Sequence, residues 1–115
     1  MDDKKNIIDL GDFRTIIGKQ KSKVFTGRDR GGDVRDNSNL DSLFEQYHKV
    51  KIIIPKDTFS ITPSFLEEFF YNIVSKYGLQ EFRDNVEIES NGYNIETPLE
   101  EGIQRIIQRM NGLDK

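Results

Sequence analysis

The chain has 115 residues, 35% of them hydrophobic and 32% charged, with a formal net charge of −3. That length fits one small α/β-sized domain over residues 1–115, and the acidic balance argues against a nucleic-acid binder as a whole. With no cysteine and a single histidine, His48, disulfides, thiol catalysis and a paired-histidine metal site are excluded.

No run approaches the roughly 18 consecutive apolar residues of a membrane helix. The opening Met1-Asp2-Asp3-Lys4-Lys5 is charged and lacks the apolar stretch of a signal peptide. The expectation is a cytoplasmic protein without a membrane segment.

Asn6-Ile7-Ile8-Asp9-Leu10 predicts a short strand, stopped by Gly11 and Asp12. Phe13 to Ile17 is a second apolar stretch, too short to type, and Gly18 ends it. Lys19-Gln20-Lys21-Ser22-Lys23 reads as a solvated cationic loop. Val24-Phe25-Thr26 reads as a brief edge strand, guarded against pairing by those lysines. Gly27-Arg28-Asp29-Arg30-Gly31-Gly32 reads as a break, with a helix starting near Asp33. Val34, Leu40, Leu43, Phe44 and Tyr47 keep a helical spacing. Asn37-Ser38-Asn39 either interrupts one irregular helix or joins two short ones.

Val50-Lys51-Ile52-Ile53-Ile54 is the clearest strand. Three successive isoleucines do not alternate, so the expectation is a strand covered on both faces and ended by Pro55. Thr62-Pro63 then opens a helix, the threonine as N-cap and the proline where its missing N–H costs nothing. Phe65, Leu66, Phe69, Phe70, Ile73, Val74 and Tyr77 form its apolar stripe, and Gly78 stops it. Val86-Glu87-Ile88-Glu89 alternates like a strand with one wet face, and Asn91-Gly92 marks a turn. Thr97-Pro98 repeats the cap-and-proline start. Glu100 and Glu101 suit the helix dipole, and Leu99, Ile103, Ile106, Ile107 and Met110 form the stripe. Strand, helix, strand, helix predicts an α/β layer with right-handed crossovers.

Two segments carry a family resemblance. Val50 to Ile54, a connector and Thr62-Pro63-Ser64-Phe65-Leu66-Glu67-Glu68-Phe69 resemble the STAS-like domain family of unknown function. Gly31-Gly32-Asp33-Val34-Arg35 looks like that family's Gly-acid-x-Arg segment. The resemblance runs over roughly residues 6–110 and implies a small STAS-like domain, a mixed β-sheet packed with helices. It also implies a regulatory protein–protein interaction module rather than an enzyme, related to anti-sigma-factor antagonists. In those proteins a serine at the equivalent helix start is phosphorylated by a histidine-kinase-like ATPase. Thr62-Pro63-Ser64-Phe65-Leu66 stands where the antagonists carry Asp-Ser-Ser-Gly-Leu, without the leading aspartate.

Four side chains form the candidate partner-binding or phosphorylation surface: Thr62, Ser64, Glu67 and Glu68. Ser64 is the better phosphosite, because a modified Thr62 would lose its capping geometry. The plain reading beside it is that Thr62 only caps the helix and Ser64 is a polar first-turn residue. Arg28, Arg30, Gly31, Gly32 and Arg35 form a candidate anion nest, backed by Lys19, Lys21 and Lys23. The alternative function is therefore phosphate-ligand or nucleic-acid binding through Lys19 to Arg35. The plainer reading of the same stretch, and the favoured one, is a flexible loop. Glu67, Glu68, Glu87 and Glu89 read as solvated edges, and Arg105 and Arg109 as a wet helix face. No catalytic residue, cofactor or metal is expected.

Overall fold

The structure, a computed structural model, describes residues 6–112, with Ile17 described by its backbone alone. The opening residues 1–5, weighed above for targeting, lie outside them.

In chain order the elements are β1 (Ile7–Asp9), a 3-10 turn (Leu10–Phe13), β2 (Ile16–Ile17), β3 (Gln20–Lys21), β4 (Val24–Phe25), α1 (Arg28–Ser38), α2 (Leu40–Tyr47), β5 (Val50–Ile54), β6 (Ser60–Ile61), α3 (Pro63–Tyr77), α4 (Leu79–Asn85), β7 (Val86–Ser90) and α5 (Glu96–Met110). They form an α/β domain. The main sheet has three parallel strands in the order β1-β5-β7. β2 and β3 make a separate antiparallel hairpin, and β4 pairs in parallel with β6. The main sheet is therefore wholly parallel, not mixed.

β5 is the central strand, as its isoleucines predict, but only one of its faces is sealed. Val50, Ile52 and Ile54 are buried, while Lys51 and Ile53 alternate with them and are half-exposed. Ile53 lies between Asp9 of β1 and Glu89 of β7, and Lys51 Nζ meets Glu89 Oε1 at 2.7 Å. Charged neighbours across the strands let this face meet water, so a triple isoleucine did not require a second helical layer.

α3 holds the core together. A chain of ring contacts runs from Phe25 to Phe65, Phe69, Phe70 and Phe82. These rings cover the sealed face of the sheet with Ile8, Ile52 and Ile54. Thr62 caps α3, with Pro63 in its first turn, and Gly78 ends it at a positive φ of 96°.

Two local expectations change, at the glycine segment and at the start of α5, and the Asn37-Ser38-Asn39 segment takes the second of its two readings. The glycine segment is no break: α1 starts at Arg28, and Gly31 and Gly32 lie inside it. Asn39, at φ 59°, ends α1 and starts α2, so the Asn-Ser-Asn segment is a join between two helices. α5 begins at Glu96, ahead of Thr97. Asn94 Oδ1 accepts the Glu96 amide, and Pro98 sits in the first turn, where no helical hydrogen bond is lost. Among the described residues no helix is long and apolar enough to cross a membrane.

Candidate functional site at the start of the third helix

Close backbone approach, added to the packing of its rings, places the start of α3. A Cβ on Gly31 would fall far inside contact distance of the Phe65 carbonyl oxygen, and 3.1 Å from its carbon. On the other flank, a Cβ on Gly102 of α5 would lie 3.0 Å from the Pro63 carbonyl oxygen and 3.3 Å from the Glu67 nitrogen. Glycine has no side chain to hold these helices apart, so α1 and α5 both press on the first turns of α3.

That closeness brings the start of α1 to the start of α3. Thr62 Oγ1 accepts the Phe65 amide at 3.3 Å, its own helix cap, and also the Gly27 amide at 3.1 Å. The same oxygen lies 3.2 Å from Ser64 Oγ. A hydroxyl has two lone pairs and one proton. Two amides fill the lone pairs, so Thr62 donates its proton to Ser64. Ser64 Oγ has no other partner among the described residues, and its own proton is unassigned. Both hydroxyl residues are half-buried.

Glu67 and Glu68 do not belong to an open docking surface. Glu67 is 0% exposed. Its Oε2 meets Arg28 Nη2 at 3.3 Å and Arg109 Nη1 at 3.1 Å, while Oε1 is buried with no partner among the described residues. Glu68 meets Arg109 Nη1 at 3.0 Å and Arg35 Nη1 at 2.9 Å. Arg35 Nη1 also donates to the Glu68 carbonyl at 2.8 Å, and the Arg109 guanidinium lies 4.0 Å from the Tyr71 ring centre. Three arginines from α1 and α5 thus cross the outward side of α3 and hold its two glutamates. Burial pushes the Glu68 carboxyl up, but hydrogen bonds from Arg35 and Arg109 outweigh it and hold Glu68 below the usual range. Burial likewise pulls Arg35 and Arg109 down, and their carboxylate partners push both above the ordinary value.

The anion nest is also not formed. Gly31 and Gly32 are spent on a helix interior, Arg35 holds Glu68, and Arg28 meets Glu67. Arg30 Nη2 donates to the Phe13 carbonyl. The arginines of this segment tie elements together: each has a carboxylate or carbonyl partner on another element. The lysine half stands differently. Lys19, Lys21 and Lys23 are exposed on and beside the β2–β3 hairpin. Phe59, 78% exposed, donates its amide to the Lys23 carbonyl at 2.7 Å. That aromatic partner lies far along the sequence from the lysines, so their spacing gave no sign of it. Arg105 pairs with Glu101 one turn earlier on the surface of α5, whereas Arg109 is no part of a wet face. His48 ends α2 in a left-handed conformation. Among the described residues no three His, Asp or Glu side chains gather as a metal site requires.

Comparison with protein-family models, with curated proteins and with solved structures finds no match.

Proposed function

We propose that the chain is a STAS-like regulatory module, acting in the cytoplasm by binding a protein partner through the tip formed by Gly27, Thr62 and Ser64. The carrying observation is the division of labour between the two hydroxyls. Thr62 is saturated by two amides and by Ser64, while Ser64 keeps a proton to give. A phosphoryl group moved from ATP to Ser64 Oγ, with loss of that proton and departure of ADP, would sit in the first turn of α3, where the helix dipole favours negative charge. A histidine-kinase-like ATPase is the partner this reading implies, with the module itself performing no catalysis. With Glu67 and Glu68 held by arginines, the docking surface is smaller than four exposed side chains.

The test starts with protein purified from its own cells. Mass spectrometry is expected to find phosphate on the Ser64 peptide, and none in Ser64→Ala. Capture experiments are then expected to recover an ATPase of that class with one of Ser64→Ala and Ser64→Glu and not with the other. Unmodified Ser64 together with equal capture by both variants would end the proposal.

A second reading rests on the lysines. Exposed Lys19, Lys21 and Lys23 beside an exposed Phe59 make a cationic surface with one ring available for stacking. A single-stranded oligonucleotide bound there would lose affinity steeply with salt, and Phe59→Ala would weaken it further. Binding unaffected by salt and by Phe59→Ala would dismiss this reading.

A further inference from the structure

The two edges of the main sheet are finished differently. Ile8, Ile52 and Ile88 lie side by side across β1, β5 and β7 and face the helices together. Ile8 is 3% exposed and Ile52 is 1% exposed, yet Ile88 is only half-buried. The row above repeats this: Val50 is 1% exposed, and its neighbour Val86 is half-buried. The core is therefore open along β7. The opening is a slot of about 270 Å³ in which Val86 and Ile88 face Phe82, Ile95 and Leu99. Beside it, among the described residues, β7 has a strand neighbour only on its β5 side.

An unpaired strand edge next to an apolar slot is the arrangement that receives an added strand. The backbone supplies hydrogen bonds, and alternate side chains enter the slot. The charges around it select the incoming sequence. Glu96 lines the slot and is exposed, as is Glu87 on the strand. Arg83, the cation of the rim, is already held by both oxygens of Glu100 at 2.9 Å. That pair is neutral as a whole, so Glu96 is the unbalanced charge of the slot's lining.

We infer that the β7 edge binds an extended peptide in which apolar side chains alternate with basic ones. The apolar side chains fill the space beside Ile88 and Leu99, and the basic ones, on the opposite face of the added strand, lie beside Glu87, while Glu96 adds negative charge at the mouth of the slot. This site lies on β7 and α5 and does not depend on Ser64.

The probe is a synthetic peptide alternating lysine and valine, followed by amide NMR shifts of the intact protein. Saturable shifts are expected at 86–90 and 95–99. A glutamate–valine peptide and a lysine–serine peptide are each expected to bind at least about tenfold more weakly, the first by charge and the second by lost apolar contact. Glu87→Gln, which removes the charge without setting a second cation opposite Lys51, and Leu99→Arg, in the slot, should each weaken the lysine–valine peptide by a similar factor. Equal binding of all three peptides would overturn the inference, as would shifts confined to other elements. Loss of the same amide signals with rising protein concentration and no peptide would make the edge a contact between copies, and would overturn it too.

Discussion

Gly31 and Phe65 meet backbone to backbone: the α-carbon of one faces the carbonyl of the other with no room for a methyl group between them. Gly32, next in the same helix, would place a Cβ 3.5 Å from Glu68 Cγ, an ordinary contact. The two adjacent glycines are therefore expected to respond with opposite signs. Gly31→Ala should lose about 1–3 kcal/mol as α1 is forced away from α3. Gly32→Ala should be neutral or gain up to about 1 kcal/mol from helix propensity. Urea unfolding of the two variants measures both, and similar midpoints would contradict the packing described for α1.

Thr62 and Ser64 should separate in the same way. Thr62→Ala removes the α3 cap and strands the Gly27 amide, at a cost of about 1–2 kcal/mol. Ser64→Ala removes only an acceptor for the Thr62 proton and should cost a few tenths of a kcal/mol. Thermal unfolding of the pair tests whether stability rests on the Thr62 hydroxyl and not on that of Ser64.

Arg109 should matter far more than Arg105. Arg105→Met breaks an exposed pair one helical turn long and should change stability by less than about 0.5 kcal/mol. Arg109→Met takes a partner from Glu67, which has no exposed surface, and should cost roughly 3 kcal/mol. Replacing Glu67 and Arg109 together by methionine should recover part of that loss. A double-mutant cycle with no coupling would show that the two side chains do not act as a pair.

Acid should loosen this clamp. Glu68 in the folded protein binds its proton less readily than in the unfolded chain. Its contribution is therefore complete above the ordinary glutamate value of about 4.3, and declines as pH falls from there through the lowered folded value. Denaturant midpoints between about pH 6 and pH 3 should fall less steeply in Glu68→Gln than in the natural protein. Parallel profiles would show that Glu68 is not linked to folding.

Residues whose roles are local were legible in the chain itself. The Val50–Ile54 run identified the central strand, and Thr62-Pro63 with its phenylalanine stripe identified α3 and its cap. Residues whose roles are set by distant partners were not. Gly31 looked like a loop residue because Phe65, which demands its smallness, lies in another helix. Glu67 looked wet because glutamates in a polar segment normally are; Arg28 and Arg109, from two other helices, bury it. One signal was available. Gly102 interrupts the apolar stripe of α5, and an interior helical glycine marks a neighbouring backbone. α4 follows Gly78 directly and buries Phe82 alone, too little pattern for a periodicity to register. β6 is two residues long and is recognised only by its pairing with β4.

The wholly parallel sheet also has a bearing on how the protein is made. Ile8 pairs with Ile52, and the other edge strand joins the same central strand later still. During synthesis, the amino-terminal strand has nothing to pair with in its own sheet until the isoleucine run has left the ribosome. Folding that depends on so distant a contact is slow, and it leaves β1 and the phenylalanine-rich segments exposed to chaperones or to aggregation in the meantime.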